Sequence, residues 1–101
     1  MKHRPNTLRI IGGNWRGRRV SFPDVDGLRP TGDRIRETVF NWLQAYTPGA
    51  RCLDLFSGSG AMGLEALSRG AESVVFVERN AAAAAATRTA LATFGADNGR
   101  V

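Results

Sequence analysis

A chain of 101 residues and 10.9 kDa is sized for one small domain, because domains typically run about 100 to 200 residues, and a multidomain enzyme is thereby excluded. Its composition, 43% hydrophobic and 23% charged, is that of a globular chain, and no apolar run approaches the roughly 20 residues that cross a bilayer. Fourteen basic against nine acidic residues give +5, and the excess lies at the front: residues 1–36 hold nine Lys or Arg and three Asp (+6), residues 37–101 five basic and six acidic (−1).

In chain order, residues 8–11 alternate weakly, residues 12–14 (Gly-Gly-Asn) offer a turn, and the pattern resumes over residues 15–22. This predicts a β-hairpin with Arg16, Arg18 and Arg19 on its second arm. Residues 23–30 are turn-rich. Thr31 or Asp33 is placed to cap a helix whose apolar positions Ile35, Val39, Trp42, Leu43 and Tyr46 recur at helical spacing, with Trp42 assigned to the core and Pro48-Gly49 as the stop.

A strand over residues 51–55, a glycine loop over 57–60 and a helix over 61–69 closed by Gly70 follow. A second strand over 73–78 leads to a helix from about Asn80, its N-cap, to Phe94, with Gly95 as terminator. The result is a βαβα unit with two parallel strands. The alanine run of residues 81–86 reads as helix, since alanine has the highest helix propensity. By this pattern the sequence ends where a third strand ought to begin, leaving Leu53, Leu55, Val74, Val75 and Val77 short of cover. Such a chain looks like the front of a larger domain.

The basic N-terminal third suits a polyanion, since phosphate contacts by Arg and Lys release condensed counterions; a base-composition bias toward Arg and Ala is the competing explanation. The N-terminus lacks the apolar stretch, about 7 to 15 residues, of a secretory signal. One cysteine, Cys52, and one histidine, His3, leave no internal disulfide, zinc site or Cys-His catalytic pair. These features fit a reducing cytoplasm and lead to the expectation of no metal and no membrane partner. Cys52 reads as a small buried strand residue, His3 is assigned no role, and Trp15 is balanced between stacking on a base and packing on the strand.

Gly58-Ser59-Gly60-Ala61-Met62-Gly63 is a G-x-G-x-x-G after a strand and at the start of a helix, and Glu78 stands twenty residues beyond Gly58 at the end of the next strand. A side chain at these glycines would block a nucleotide from the backbone, and Glu78 is placed to accept hydrogen bonds from ribose hydroxyls. Asp54, at the edge of the sheet where ligands bind, opposes a dianionic pyrophosphate and favours a ligand carrying a cation. S-adenosylmethionine has an ammonium and a sulfonium in place of phosphates, so methyl transfer is preferred to nicotinamide chemistry. A capping role for Asp54 at the strand end is the alternative.

The block 54–71, Asp-Leu-Phe-Ser-Gly-Ser-Gly continuing as Ala-Met-Gly-Leu-Glu-Ala-Leu-Ser-Arg-Gly-Ala, closely resembles the first motif of the bacterial 16S rRNA (guanine-N2)-methyltransferases of the RsmD family. Leu8 to Gly13 with Trp15-Arg16-Gly17-Arg18, then Leu28-Arg29-Pro30-Thr31 with Asp33-Arg34, Arg36-Glu37-Thr38 and Phe40-Asn41, look like that family's opening. The resemblance is to the N-terminal portion. It implies an α/β fold: a hairpin and helix followed by the first βαβα unit of a Rossmann-like class I methyltransferase sheet, truncated before the third strand. The division would be a basic extension over residues 1–30 and an incomplete S-adenosylmethionine-binding domain over residues 31–101.

The resemblance further implies S-adenosylmethionine as cofactor and 16S rRNA, within the small ribosomal subunit or its assembly intermediate, as partner, with a monomer when full length. By carry-over, Asp54, Gly58 and Gly60 would line the methionine end of the cofactor, Phe56 and Arg79 would complete its pocket and Glu78 would bind the ribose. Arg29, Pro30 and Thr31 would close over the site, and Arg9, Arg16, Arg18 and Arg19 would meet RNA phosphates. The family's Asp/Asn-Pro-Pro-Phe/Tyr motif, which positions the guanine amine, has no counterpart, since Pro5, Pro23, Pro30 and Pro48 are all isolated. The expectation is therefore a chain without catalytic residues, inactive alone. The alternative is a non-catalytic RNA-binding module with a vestigial cofactor pocket.

Overall fold

A computed structural model describes residues 6–25 and 27–101, so His3 lies outside the described residues. The elements run β1 (Thr7–Arg9), β2 (Arg19–Ser21), α1 (Asp33–Trp42), β3 (Arg51–Leu55), α2 (Ala61–Ser68), β4 (Ser73–Val77), α3 (Ala81–Thr93) and β5 (Gly99–Arg100). β3 and β4 pair in parallel from Arg51↔Ser73 to Leu55↔Val77. Both following helices end as their glycines predict. Gly70 takes φ 98° while Ala71 N–H donates to the Ala66 carbonyl, and Gly95 takes φ 65° while Ala96 N–H donates to that of Leu91. Asn80 caps α3, its Oδ1 accepting from Ala83 N–H at 2.9 Å.

One buried cluster joins the two sheets: Leu8, Ile10 and Val20 of the hairpin pack with Leu64, Leu67, Val74, Phe76 and Leu91. α2 approaches β4 so closely that a Cβ at Gly63 would overlap the Phe76 ring, which is the packing role expected of the third glycine of the motif.

Several expectations need correction. The chain does not stop before a third strand: Gly99 and Arg100 form β5, parallel to β4 through Val74↔Gly99 and Val75↔Arg100. Two residues are too few to show a strand period in sequence, but they satisfy β4 backbone groups. Val74, expected to lack cover, is buried in the cluster with Leu64, Leu67 and Leu91, whereas Leu53, Leu55 and Val77 are exposed as expected; Cys52, read as buried, is only half-buried.

The hairpin arms are also shorter than their alternation suggests. Ladder pairing covers only Thr7↔Ser21, Leu8↔Val20 and Arg9↔Arg19. Residues 11–17 form a loop whose N–H groups turn to α2: Ile11 and Gly12 donate to Glu65 at 3.0 and 2.9 Å, Trp15 to Ser68 Oγ at 3.0 Å and Asn14 to the Ser68 carbonyl at 2.8 Å. Gly13 (φ 83°) is required there, because a Cβ would collide with the Ser68 carbonyl.

α1 begins at Gly32 with no side-chain cap, so neither Thr31 nor Asp33 serves as one; Asp33 bonds Arg36 instead. The helix ends at Trp42, and residues 43–46 are turn, with Tyr46 N–H donating to the Leu43 carbonyl. Its orientation reverses the expected face. Arg36 and Phe40 are buried, while Ile35, Trp42 and Tyr46 are 60%, 74% and 74% exposed. Arg36 turns inward because it pairs with the buried Glu65 at 3.1 Å, and this carries the apolar stripe, Trp42 included, outward.

Candidate cofactor site

The C-terminal ends of β3 and β4 and the segment before α1 enclose a cavity of about 760 Å³, within the roughly 300–1,000 Å³ usual for small-molecule sites. Its wall includes Asp54, Phe56, Gly58, Glu78 and Arg79 from the strand ends and loop, and Leu28, Arg29 and Thr31 from the preceding segment. Gly60 and Pro30 are not on the wall. Gly60 instead takes φ 82° as the N-cap of α2, a left-handed conformation that glycine adopts without cost.

Asp54 accepts a hydrogen bond from Gly63 N–H through Oδ2 at 3.0 Å, so it caps the first turn of α2 from the neighbouring strand while also lining the cavity. Burial raises its pKa above the ordinary aspartate value; the Gly63 bond opposes this, and the charge of Glu78 adds to it. A cation arriving in the cavity would relieve this carboxylate, and a phosphate would worsen its position.

Glu78 braces the loop, a role the spacing alone did not reveal. Its Oε1 accepts from Gly58 N–H at 2.7 Å and its Oε2 from Asn80 N–H at 2.9 Å. The bonds from Asn80 and Gly58 hold its pKa below the ordinary glutamate value. Each oxygen retains a second acceptor position, so bracing is compatible with accepting from a ligand hydroxyl. Two further features were missed: the backbone conformation of Phe56, a residue the resemblance had assigned to the pocket, and the Ser57 hydroxyl. Phe56 holds φ 57° with its side chain 90% exposed, a conformation that costs about 1–2 kcal/mol for a non-glycine residue. Ser57 Oγ is buried on the cavity wall without a hydrogen-bond partner among the described residues. Neither has a sequence signal beyond lying in the glycine loop.

Over the cavity, Leu28 approaches Gly58, where a Cβ would stand 3.1 Å from Leu28 Cδ1. The Cys52 thiol lies away from this wall, and burial followed by the charge of Asp54 raises its pKa, which suppresses the thiolate.

The candidate RNA-contacting arginines are exposed on the hairpin and its loop and divide into two kinds. Arg9 lies 3.6 Å from Asp33, and Arg18 stacks its guanidinium 4.2 Å from the Phe94 ring centroid. No ion pair engages Arg16 or Arg19 among the described residues. Trp15 packs on Phe94, with ring centroids 4.5 Å apart, which favours its packing role. Among the described residues there is no cluster of metal-ligating side chains and no helix long and apolar enough to cross a membrane.

The parallel strands, glycine loop and cavity define an α/β protein of methyltransferase-like architecture. The model of the family described as conserved hypothetical protein 95 matches residues 8–101, and the chain belongs to that family. It is similar to ribosomal RNA small subunit methyltransferase D of Escherichia coli K12, with 54% identity over 94 residues, 93% of this chain and 48% of that protein. The Haemophilus influenzae protein of the same name is 56% identical over 71 residues, 70% of this chain and 37% of its own length. The solved structure of an E. coli protein described as methyltransferase yhhF superposes with a TM-score of 0.88 at 53% identity, covering 95% of this chain and 52% of that one. The RsmD resemblance carried by the motifs is upheld, and the chain spans about half the length of the curated relatives it matches.

Proposed function

We propose that these residues form the cofactor-binding and RNA-contacting part of an S-adenosylmethionine-dependent methyltransferase that acts on the exocyclic N2 of a guanine in 16S rRNA of the small ribosomal subunit. In this reading residues 31–101 are part of a Rossmann-like domain, residues 1–30 are its basic extension, and the protein works as a cytoplasmic monomer. The names of the relatives support rRNA methylation as the activity.

The observation that carries the proposal is the mixed-charge wall around a glycine loop. Asp54 and Glu78 stand on it with Arg29 and Arg79, and S-adenosylmethionine likewise carries both signs: ammonium, sulfonium and carboxylate. The Ser57 Oγ, unpartnered among the described residues, offers a donor and acceptor to such a ligand, and the half-buried Asp54 carboxylate suits its cationic end. Bound there, S-adenosylmethionine supplies a methyl group made electrophilic by its sulfonium. The chain's own part is to hold and orient: Asp54 attracts the cation, Glu78 fixes the loop and accepts from ribose hydroxyls, and residues 28–31 cover the ligand. Arg16 in the hairpin loop and Arg19 on its second strand meet RNA phosphates, since both are exposed and no ion pair among the described residues neutralises them.

The exposed Arg16 and Arg19 on the hairpin and its loop favour a second reading: a module that binds RNA without transferring methyl. Calorimetric titration with S-adenosylhomocysteine and with NAD separates the possibilities. The proposal expects S-adenosylhomocysteine to bind at least about tenfold tighter than NAD, since one misplaced charge costs about 1 kcal/mol even when fully screened by water and tenfold is about 1.4 kcal/mol. Equal or tighter NAD binding contradicts it, and RNA binding without any binding of S-adenosylhomocysteine supports the module with a vestigial pocket.

A further inference from the structure

Two charged side chains are buried together where the hairpin, α1 and α2 meet: Arg36 is 1% exposed and Glu65 is 0% exposed. The Arg36 guanidinium reaches four segments. Its Nη1 donates to Glu65 Oε1 at 3.1 Å and to the Arg9 carbonyl at 2.8 Å, its Nη2 to Asp33 Oδ1 at 2.6 Å and its Nε to the Thr31 carbonyl at 2.8 Å. Glu65 in turn accepts from Ile11 and Gly12 N–H and from Arg69 Nε at 2.8 Å.

A buried ion pair is a poor source of stability, because apolar residues of similar volume often serve as well. What an apolar pair cannot do is hold two backbone carbonyls and two carboxylates in one plane, which the rigid fork of arginine does. The two carbonyls belong to functionally different places. Arg9 ends the first strand of the basic hairpin, and Thr31 ends the segment whose Leu28, Arg29 and Thr31 line the cavity. The carboxylate at the centre belongs to α2, which begins directly after the glycine loop.

We propose that Arg36, held by Glu65, is a positioning residue that fixes residues 28–31 over the cavity and ties them to the basic hairpin, so that cofactor wall and RNA-facing arm move as one unit. This deepens the methyltransferase reading and rests on it for the identity of the ligand.

The test is nitrogen-15 relaxation on the ligand-free protein, paired with S-adenosylhomocysteine titration. The wild-type protein should show rigid order parameters, about 0.85, at residues 9–12 and at Leu28 and Thr31. In Arg36→Lys, which keeps the charge and removes the fork, both segments should fall together below about 0.6 while residues 51–55 and 73–77 stay rigid. S-adenosylhomocysteine affinity should drop about tenfold, as expected when hydrogen bonds to a charged group are removed. A change in only one segment, a mobile 28–31 segment in the wild type, or unchanged affinity overturns the proposal. Should Arg36→Lys unfold, Asp33→Asn weakens the half-exposed contact to Arg36 together with the exposed pair to Arg9, and Arg9→Ala, which removes only the latter, is its control; a drop shared by both segments in Asp33→Asn and absent from Arg9→Ala supports the coupling, and wild-type values in both segments of Asp33→Asn, or the same drop in Arg9→Ala, overturn it. If S-adenosylhomocysteine fails to bind the wild type, the ligand assignment falls, and the paired loss of order alone decides the positioning role.

Discussion

The side of the molecule where the hairpin meets α2 and the side where β3 has a free edge are built in opposite ways. On the first, polar groups are buried and satisfied: Glu65 collects two backbone N–H groups and two guanidinium groups, and Ser68 Oγ both donates to the Gly12 carbonyl and accepts from Trp15. On the second, a groove of about 430 Å³ is lined by Leu43, Tyr46, Leu53 and Leu55, beside a β3 edge that pairs with no strand among the described residues. A buried polar cluster survives only when every partner is present, so the first side is structurally closed. Exposed leucines beside an open strand edge are surface that a further strand would cover.

The sharpest way to break this contrast is on the closed side. Glu65→Ala leaves Arg36 buried without its partner and strands the N–H groups of Ile11 and Gly12, so it should cost about 3–5 kcal/mol in urea unfolding. A loss under about 1 kcal/mol would show that water enters the interface freely. Gly63→Val drives a side chain into the Phe76 ring and should cost about 1–3 kcal/mol, seen as a lowered Tm. By contrast, Trp42→Lys on the open side should change stability by no more than about 0.5 kcal/mol, because the indole is 74% exposed.

The contrast also explains how far the sequence could be read. β3, β4, α2 and α3 were legible almost to the residue, because Gly70, Asn80 and Gly95 act locally and leave their mark at the position where they act. The glycine loop and its acid were legible for the same reason. α1 was misread because the decisive contact, Arg36 with Glu65, joins residues 29 apart in sequence, and no local period encodes which of two faces a distant carboxylate will claim. The hairpin loop was misread similarly, since the N–H groups of Ile11, Gly12, Asn14 and Trp15 are satisfied by α2, whereas those of Arg16 and Gly17 are satisfied within the hairpin. At the cavity, spacing and position put Asp54 and Glu78 beside the glycine loop, and the capping role held open for Asp54 is present in its bond to Gly63, but the bracing of Gly58 by Glu78 depends on three-dimensional neighbours.

Smaller effects sharpen the functional half of the comparison. Because burial raises the Asp54 pKa, its carboxylate is fully charged only above that raised value. Affinity for S-adenosylmethionine should therefore be complete at high pH and decline as pH falls through a region above the ordinary aspartate range. Asp54→Asn should remove that dependence and weaken binding about tenfold; a pH profile identical in the variant would dismiss Asp54 as the titrating group. On the hairpin, replacing Arg16 and Arg19 by Ala should reduce the salt slope of RNA binding by about one for each phosphate that is no longer neutralised, measured by fluorescence anisotropy.

The most direct measurement of the central claim is a proton–nitrogen chemical-shift map of the protein titrated with S-adenosylhomocysteine. The account predicts that amide shifts concentrate at Gly58, Ser59, Glu78, Arg79, Asn80 and the Leu28–Thr31 segment, leaving Val20, Ser21 and the α1–β3 groove in place. Shifts centred on that groove, or none at a saturating concentration, would contradict it.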